Sequence, residues 1–348
     1  MNKEISTLTQ LGWKPFFQQQ LSLEEFTEFH VGRIIEQHRN NLIVVSEQGQ
    51  LNLIIPSGCK RVCVGDWVIF DGSNRLIRPL ERQSVFERKS PGTQVNTQLI
   101  AANIDILIIV CSLNQDFNLN RIERYLAIAH EAQVEPVIVL TKADQCSDVD
   151  AKREQVQSLD KFMMVHALNA LDNSELKPLE SYCQQGKTVA FLGSSGVGKS
   201  TLVNGLLGYQ ALGTGAIRED DSKGRHTTTF RALKVLPQGG ILMDTPGMRE
   251  LQLSGCEQGV NDTFSEIIEL STQCRFNNCE HVSEPGCAVR NAIEKDELSV
   301  RRFESYQKLI KEQAFNSATL AQKKAKDKAF GKMINRVQSE SKQLKQGK

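Results

Sequence analysis

The sequence predicts an α/β domain with a mainly parallel sheet, preceded by a small antiparallel β-barrel and followed by a helical segment that carries cysteines. Short β-rich runs separated by turn residues occupy positions 31–85, as in a small barrel. Near-continuous apolar runs then alternate with helical patterns, which indicates βαβ units. The expected segments are a lead-in (1–30), the barrel (31–85), the α/β domain (95–252), a helical cysteine-bearing domain (253–318) and a Lys-rich tail (319–348).

The length and composition are those of an ordinary multidomain chain. The 348 residues are enough for two or three domains, each with its own core. Nine cysteines, an odd number, and an N-terminus without an apolar export signal favour metal ligation and free thiols over disulfides. No apolar run approaches the roughly 20 residues that span a bilayer. We therefore expect a cytoplasmic protein without a membrane partner.

Charge is unevenly distributed along the chain. The formal net charge is +1, but residues 319–348 contain nine Lys or Arg and two acidic residues, which gives this tail +7 and the remainder −6. A basic tail on a mildly acidic body favours a polyanionic partner. Two interpretations of the tail remain open, a disordered solvated extension and a helix that binds RNA.

Five runs in the barrel segment are expected to form strands: "HVGRIIEQ", "NLIVVSE", "QLNLIIPSG", "VGDWVIFDG" and "RLIRPLE". Gly, Asn or charged turns separate them, and five short strands in about sixty residues suit an OB-type fold. The α/β domain follows with "ANIDILIIVCSL", "EPVIVL", "FMMVHAL" and "KTVAFLG" as buried strands, and with helices in "NLNRIERYLAIAHEAQ", around 150–160 and near 174–185. A short strand pair, "FRALKVLP" and "GGILMDTPG", comes last.

The stretch "GSSGVGKST" fits the phosphate-loop pattern G-x₄-G-K-S and lies between a predicted strand and a predicted helix. Its glycines let backbone N–H groups point at phosphates, helped by the positive end of the helix dipole. Lys199 would bind the β- and γ-phosphates, and Ser200 would bind Mg²⁺. The alternative is a glycine-rich turn without a ligand. The candidate nucleotide contacts here are Gly193, Ser194, Ser195, Gly196, Val197, Gly198, Lys199, Ser200 and Thr201.

The stretch "ILMDTPG" places Asp244 at the end of an apolar strand and Gly247 three residues later. In P-loop enzymes such an Asp completes the Mg²⁺ shell, and we expect the Gly247 N–H to sense the γ-phosphate. Before it, "GRHTTTF" lies where the first switch loop belongs, and one of Thr227–Thr229 would bind Mg²⁺. Thr228 and Thr229 are the candidates, and a loop of solvated threonines is the alternative.

The tetrapeptide "TKAD", formed by Thr141, Lys142, Ala143 and Asp144, follows the predicted strand "PVIVL" and has the pattern of a guanine reader. Asp144 would accept hydrogen bonds from guanine N1–H and the 2-amino group, which adenine cannot donate. The Lys142 stem would cover the base. The usual first residue is Asn, so Thr141 is expected to lose an amide bridge to neighbouring loops. A surface Lys-x-Asp turn is the alternative.

One βα unit later, "FMMVHALNA" is the candidate second guanine loop, formed by His166, Ala167 and Leu168. The Ala167 N–H would meet guanine O6, while His166 stands where a serine is often found. The chain order is therefore base reader, second base loop, phosphate loop, first switch and second switch. A circular permutation explains this order, because a doubly wound domain often has its termini close together. The segment "NSELKPLESYCQQGK" would then join the original ends.

The segment after residue 252 contains a group of metal-binding side chains with the pattern C-x₄-C-x-H-x₅-C. Three thiolates and one imidazole suit tetrahedral Zn²⁺ and are typical of closed structural sites. Scattered core cysteines and a surface histidine are the alternative. With no ligand position left for water, we do not expect zinc catalysis. The candidate ligands are Cys274, Cys279, His281 and Cys287.

Taken together, these motifs resemble the small ribosomal subunit biogenesis GTPase A family (RsgA, also called YjeQ or EngC). The likeness covers nearly the whole chain, from the β-rich segment ending in "GDWV" through TKAD, GSSGVGKST, GRHTTT and DTPG to the zinc motif. It implies an N-terminal OB-fold, a circularly permuted α/β P-loop GTPase domain and a C-terminal zinc-binding domain. It also implies GTP and GDP as ligands, binding to the small (30S) ribosomal subunit and its 16S rRNA, and GTP hydrolysis stimulated by that subunit. We expect a monomer without a DNA partner.

The residue that positions the attacking water is less evident. Ras-type enzymes place a glutamine directly after D-x-x-G, but here that position is Met248, so we expect slow intrinsic turnover. His226 beside the switch threonines is the candidate, and a histidine that only packs in its loop is the alternative. Two rival functions remain: an RNA-binding module with a vestigial nucleotide site, and an adenine-nucleotide enzyme such as a small-molecule kinase.

Overall fold

A computed structural model describes residues 7–38, 41–59, 61–89, 97–210, 212, 233–244, 248, 251, 253 and 255–317. The strands in these ranges form a five-stranded sheet, a six-stranded sheet and a two-stranded hairpin. The five-stranded sheet lies first in the chain, the six-stranded sheet is central, and helices make up the C-terminal part. The expected Lys-rich tail (319–348) lies outside the described residues.

The first sheet contains β1 (His30–Gln37), β2 (Asn41–Ser46), β3 (Gly49–Ile54), β4 (Trp67–Phe70) and β5 (Leu76–Pro79). The strands are antiparallel in the order β3-β2-β1-β4-β5. A parallel bridge between Ile54 and Arg75 brings the end of β3 against β5, so the sheet curls back on itself. Ile34, Leu53 and Phe70 are fully buried inside it. This is the five-stranded barrel of an OB fold, which confirms the prediction.

The lead-in packs against the barrel. It contains a 3₁₀ turn (Thr9–Leu11), helix α1 (Pro15–Gln18) and helix α2 (Leu23–Glu28). Leu11 and Phe17 are buried, and the rings of Trp13 and Trp67 meet edge-on with their centroids 4.8 Å apart. Aromatic burial of this kind fixes the lead-in to the barrel wall.

A hairpin that the sequence analysis did not predict connects the barrel to the central sheet. Its strands are β6 (Val85–Lys89) and β7 (Thr97–Ala102). The run "VFERK" is short and ends in charges, so it lacks the apolar alternation that marks a strand. The Ala102 N–H also donates to the Val64 carbonyl at 3.0 Å, and this bond ties the hairpin to the barrel.

The central sheet contains β8 (Ile106–Ser112), β9 (Glu135–Thr141), β10 (Met164–Ala167), β11 (Thr188–Gly193), β12 (Leu233–Val235) and β13 (Ile241–Met243). Their order is β10-β9-β8-β11-β13-β12, and every neighbouring pair is parallel except β12 with β13. All residues of β8 are buried, which explains its near-continuous apolar run. The predicted, mainly parallel α/β sheet is confirmed.

The helices of this domain are α3 (Leu119–Glu131), α4 (Val149–Gln157), α5 (Lys177–Glu180) and α6 (Lys199–Leu207). Asn118 caps α3, because its side chain accepts a hydrogen bond from the Arg121 N–H. In place of the single helix expected near 174–185, short α5 lies between two 3₁₀ turns, Asn173–Leu176 and Ser181–Cys183. Pro178 lies in the first turn of α5, where a residue without an N–H is tolerated.

The C-terminal helices pack onto one face of the central domain. They are α7 (Glu257–Thr263), α8 (Ser265–Thr272), α9 (Ala288–Glu294) and α10 (Val300–Ser317). Val260, Phe264 and Phe303 lie in the same apolar cluster as Leu126 and Ile109 of the central domain. Within the described ranges, no helix combines the length and the apolar character needed to cross a membrane.

Candidate nucleotide site and metal centre

The predicted nucleotide-binding motifs lie along one edge of the central sheet. Parallel strands end on the same side, so the loops that follow β9, β10, β11 and β13 all emerge at this carboxyl edge. Neighbouring strands lie about 4.8 Å apart, which places the end of β9 about 10 Å from the end of β11 across the intervening β8. Ligands of open α/β sheets bind in crevices at this edge.

The phosphate loop joins the end of β11 to the start of α6. At Gly193 a Cβ atom would lie only 2.3 Å from the Val110 carbonyl oxygen of the neighbouring strand, so only glycine fits there. Gly198 has a φ of 98° and precedes the first residue of α6, which turns the loop into the helix. Val197 is buried and anchors the loop, whereas Ser195 and Gly196 are exposed.

Lys199, the candidate phosphate-binding lysine, is the first residue of α6. Its Nζ donates to the Gly193 carbonyl at 2.7 Å and also to the Ser194 carbonyl. These bonds hold the ammonium group across the mouth of the loop. Ser200 and Thr201 follow in the first turn of α6, where backbone N–H groups lack partners within the helix. The arrangement gives an anion a lysine, a helix N-terminus and loop amides together.

Thr141 joins the base-reading loop to the phosphate loop. Its Oγ1 donates to the Val197 carbonyl at 2.6 Å, and it is fully buried. The expectation that Thr141 would lose the bridge made by an asparagine is therefore wrong, since the shorter hydroxyl side chain reaches the loop. This hydrogen bond fixes the two motifs beside each other even though they are about 50 residues apart and reversed in the chain.

Lys142, Ala143 and Asp144 form a tight turn after β9. Lys142 takes up the left-handed conformation (φ 59°), and a short 3₁₀ helix (Ala143–Gln145) follows. The Ala143 N–H donates to the Leu168 carbonyl at 3.4 Å, so the two base loops touch. Asp144 is exposed and has no hydrogen-bond partner among the described residues, which leaves its carboxylate available to a ligand.

His166 belongs to the end of β10 and turns towards the segment that leads from the second base loop to β11 (residues 172–183, the connecting segment). Its Nε2 lies 2.9 Å from the Tyr182 hydroxyl oxygen, and burial lowers the pKa of the imidazole. Leu168 is buried, and its N–H donates to the Leu140 carbonyl. Ala167 lies between these two anchored residues.

Asp244 follows β13, beside the phosphate loop's own strand. Its Oδ2 atom is buried and has no hydrogen-bond partner among the described residues. Such an orphaned carboxylate oxygen is unfavourable unless a ligand or cation satisfies it. Met248 is buried in the apolar cluster that also contains Leu251, so its side chain is not aimed at solvent. The candidates His226, Thr227, Thr228, Thr229 and Gly247 lie outside the described residues.

The four candidate zinc ligands come together in the loop region between α8 and α9. Their ligand atoms all lie within 4.8 Å of one another. His281 Nδ1 is 3.6 Å from Cys274 Sγ and 3.4 Å from Cys287 Sγ, and these two sulfurs are 4.0 Å apart. A tetrahedral zinc ion requires N–S and S–S separations of about 3.5 Å and about 3.8 Å, given usual Zn–N and Zn–S bonds. Cys279 completes the set.

Neighbouring groups orient this cluster. The Ser271 hydroxyl lies 3.1 Å from His281 Nε2, so the ring nitrogen opposite the cluster has a partner. Burial lowers the pKa of His281, which favours the neutral imidazole that binds a metal. The Cys287 sulfur accepts a hydrogen bond from the Arg290 N–H at 3.4 Å and caps α9.

Comparison with known proteins identifies the family. A family model described as RsgA GTPase matches residues 79–254. "Small ribosomal subunit biogenesis GTPase RsgA 2" of Vibrio parahaemolyticus is 55% identical over 339 residues, which cover 97% of this chain and 95% of that protein. The chain belongs to the RsgA GTPase family. "Small ribosomal subunit biogenesis GTPase RsgA" of Mesorhizobium japonicum is 44% identical over 317 residues, which cover 89% of this chain and 91% of that protein.

Two solved structures share the fold. YjeQ from Thermotoga maritima gives a TM-score of 0.60 at 24% identity, covering 81% of this chain and 97% of that one. YloQ, described as a circularly permuted GTPase, gives a TM-score of 0.58 at 23% identity. The match covers 86% of this chain and 99% of that one. The chain is thus a circularly permuted GTPase of the RsgA family, and a guanine nucleotide is its ligand.

Two residues outside the predicted motifs support the candidate second base loop. Tyr182 contacts His166, and the Glu175 carboxylate accepts a hydrogen bond from the Asn169 N–H at 2.7 Å. Both lie in the segment that joins the second base loop to β11. A tyrosine and a glutamate in a polar connection carry no local signal, because their roles depend on the folded position of the loop.

Proposed function

We propose that this chain hydrolyses GTP during biogenesis of the small ribosomal subunit and is stimulated by that subunit. The observation that carries the proposal is the Thr141–Val197 hydrogen bond. It joins the guanine reader and the phosphate loop at one edge of one sheet, so that a single nucleotide can contact both. The relatives from V. parahaemolyticus and M. japonicum are named for small ribosomal subunit biogenesis.

In this proposal the nucleotide lies across the carboxyl edge of the sheet. Asp144 accepts hydrogen bonds from guanine, Lys142 covers the base and the Ala167 N–H faces O6. The loop 193–201 surrounds the phosphates, and Lys199 exchanges its bonds to loop carbonyls for bonds to phosphate oxygens. His226, Thr228, Thr229 and Gly247 remain candidates for the switch regions.

Ser200 and Asp244 would hold Mg²⁺. The buried Oδ2 of Asp244, which has no hydrogen-bond partner among the described residues, is the kind of oxygen ligand that this cation prefers, and Ser200 lies in the first turn of α6. Mg²⁺ supplies positive charge that offsets the charge developing on the phosphates. Asp244→Asn should weaken the dependence of nucleotide affinity on Mg²⁺, measured by titration of nucleotide with and without the cation.

The Cys₃His cluster would hold one structural Zn²⁺. Its donor set and separations fit a closed tetrahedral site. Cys279→Ser should lower zinc content from about one to well below one per chain by elemental analysis, and it should reduce thermal stability. Cys183→Ser removes a buried cysteine outside the cluster and should leave the metal content unchanged.

We further propose a division into lead-in (1–30), OB barrel (31–85), GTPase domain (95–252), zinc domain (253–318) and basic tail (319–348). The barrel and the tail contact 16S rRNA mainly through its phosphates, and the protein acts as a monomer in the cytoplasm. Binding dominated by phosphate charge weakens steeply as salt rises. Co-sedimentation with 30S subunits at several salt concentrations, with a non-hydrolysable GTP analogue or GDP, tests this proposal.

A hydrolysis assay tests the enzymatic proposal directly. We expect slow GTP hydrolysis alone, strong stimulation by 30S subunits and little hydrolysis of ATP. Asp144→Asn should shift preference from GTP to XTP, because the amide can donate to the 2-oxo group that replaces the 2-amino group. Asp150→Asn changes a nearby exposed aspartate and should leave the preference unchanged. ATP preference would indicate a small-molecule kinase, and absent hydrolysis would indicate an RNA binder with a vestigial site.

A further inference from the structure

The second base loop, extended here to residues 166–169, begins within the last two residues of β10, and β10 lies at the edge of the central sheet. Among the described strands, β9 alone is hydrogen-bonded to β10, so the sheet supports β10 from one side. A short edge strand of four residues is a weak support for a loop that must hold its position to a fraction of an ångström. The other side of the loop therefore depends on whatever packs against it.

The connecting segment (residues 172–183) supplies that second support. The Glu175 Oε2 accepts a hydrogen bond from the Asn169 N–H at 2.7 Å. The Tyr182 hydroxyl lies 2.9 Å from His166 Nε2, and the two rings meet edge-on with centroids 5.7 Å apart. The loop is thus held at its first residue and at its last residue by two side chains of one segment.

The connecting segment is itself fixed to the phosphate-loop helix. Leu176 is buried, and a Cβ atom at Gly205 of α6 would lie only 2.3 Å from Leu176 Cδ1. The segment and the helix therefore touch so closely that a methyl group at position 205 would displace the Leu176 side chain. At the other end, the Gly240 N–H donates to the Cys183 carbonyl at 2.9 Å. These contacts hold the segment in place relative to the phosphate site.

We propose that Tyr182 and Glu175 are positioning residues for guanine recognition, which hold the second base loop so that the Ala167 N–H faces guanine O6. The proposal rests on the proposed function, because it assumes that this loop reads the base. The segment created by the permuted chain order thereby sets the distance between the O6 contact and the phosphate loop, and Tyr182 acts through His166.

The expected effect is moderate and specific to the O6 contact. Tyr182→Phe keeps the ring packing but removes the hydroxyl, which leaves His166 Nε2 without its partner. One lost hydrogen bond of this kind corresponds to a loss of affinity of about threefold to tenfold. Glu175→Ala removes the acceptor of the Asn169 N–H and should act in the same direction.

The test compares nucleotides that differ at a single position of the base. Tyr182→Phe should weaken GDP binding about fivefold, while binding of 6-thio-GDP, which has a poorer acceptor at that position, should weaken less than twofold. IDP lacks the 2-amino group that Asp144 would bind in GDP, so the ratio of IDP to GDP affinity reports that contact. This ratio should be the same in Tyr182→Phe and in the unmodified protein. Equal weakening of GDP and 6-thio-GDP, or no weakening of either, would overturn the proposal.

Controls separate positioning from general destabilisation. Tyr306→Phe makes the same tyrosine change outside the connecting segment, and Glu180→Ala makes the same glutamate change within the segment, at a residue without a hydrogen bond to the loop among the described residues; neither should alter any nucleotide affinity. In a His166→Ser background, Tyr182→Phe should have no further effect, because its partner ring is gone; an undiminished effect there would contradict the proposal. Melting temperatures should stay within a few degrees. Failure of the proposed function would look different, since the unmodified protein would then bind ADP as well as GDP.

Discussion

Two buried arginines hold the central domain to its neighbours, and they do so by opposite means. Arg33 of the barrel is 1% exposed and Arg302 of α10 is 6% exposed. Within the described part of the chain, Arg33 donates only to uncharged oxygens, namely the carbonyls of Leu11, Gly65 and Asn103 and the hydroxyl of Thr188. Arg302 instead contacts two carboxylates, Glu123 at 2.8 Å and Glu266 at 2.6 Å.

The acidities of the two guanidinium groups differ accordingly. Burial lowers the pKa of Arg33 to about 10, and the charges of Asp105 and Asp66 only partly oppose this. Burial also acts to lower the pKa of Arg302, but its bonds to Glu266 and Glu123 outweigh burial, so that pKa is raised. Both arginines remain charged at neutral pH.

This difference indicates what each junction depends on. At the Arg33 junction, the loss of the arginine leaves neutral carbonyls unpaired. At the Glu123 junction, which comprises Glu123, Arg301, Arg302 and Ser305, the loss of the carboxylate leaves a buried positive charge with only part of its compensation. An unpaired buried charge costs more than an unpaired neutral group.

Glu123→Gln should have the largest effect on stability. Glu123 is fully buried and contacts two arginines and the Ser305 hydroxyl, so its neutralisation should lower the free energy of unfolding by about 3 kcal/mol. Urea unfolding would measure the loss, and hydrogen exchange should show reduced protection in α10.

The chain offers a matched control for this change. Arg124 and Glu312 also pair α3 with α10, at 2.7 Å, but their side chains are 34% and 33% exposed. Glu312→Gln should therefore cost less than about 1 kcal/mol. Equal losses for Glu123→Gln and Glu312→Gln would contradict the view that burial makes the Glu123 junction sensitive.

Arg33→Met should have a smaller effect, of about 2 kcal/mol in the free energy of unfolding. The change unpairs several neutral oxygens but also removes a charge that burial disfavours, and the two effects partly offset each other. Urea unfolding is again the measurement, with the exposed Arg75→Met as control. A larger loss in the free energy of unfolding for Arg33→Met than for Glu123→Gln would contradict the view that an unpaired buried charge costs more than unpaired neutral groups.

Neither junction could be predicted from the sequence, although most of the fold could. The Arg33–Thr188 and Glu123–Arg302 contacts join residues 155 and 179 positions apart, and no local pattern marks such pairs. The strands of the barrel and sheet were predictable because apolar runs and turn residues alternate locally. The phosphate loop and the Cys₃His cluster were predictable for the same reason, since their residues lie close together in the sequence.

The expectation that Thr141 would lose the bridge to neighbouring loops was wrong because the outcome depends on the distance between two loops. The motif reveals which residue type is present, but the ability of a hydroxyl group to reach the Val197 carbonyl depends on how closely two loops approach. Similarly, the sequence marks residues 174–185 as helical, yet Pro178 and the contacts of Leu176 and Tyr182 divide this stretch into short pieces. Tertiary packing decides such details.

Thr141→Val extends the comparison to a single neutral hydrogen bond. Valine fills the same volume without the hydroxyl, so the Val197 carbonyl loses its donor at a cost of about 1 kcal/mol. GDP affinity should fall about fivefold in a binding titration. Thr141→Ser keeps the hydroxyl and should retain most of the affinity; a similar loss in both variants would show that the methyl group matters instead.

Glu25→Gln should have the smallest effect on the free energy of unfolding, because the ion pair that it removes is not deeply buried. Arg78 donates to both carboxylate oxygens of Glu25, at 2.8 Å and 2.9 Å, and the side chains are 37% and 20% exposed. The bonds from Arg78 and the Ser22 N–H lower the pKa of Glu25 from 4.5 to about 2. Solvent screening nevertheless limits the contribution to about 0.5 kcal/mol at neutral pH.

The sign of the pH dependence follows from that lowered pKa. Because the folded state holds Glu25 ionised more firmly than the unfolded state does, the contribution is complete above pH 4.5 and is lost as the pH falls towards 2. The difference in urea midpoint between the unmodified protein and Glu25→Gln should therefore shrink from pH 7 to pH 3. A difference in urea midpoint that is large at pH 7, or constant from pH 7 to pH 3, would contradict this prediction. It would mean that charge pairing stabilises this protein without burial. The contrast between the Arg33 and Glu123 junctions would then need another explanation.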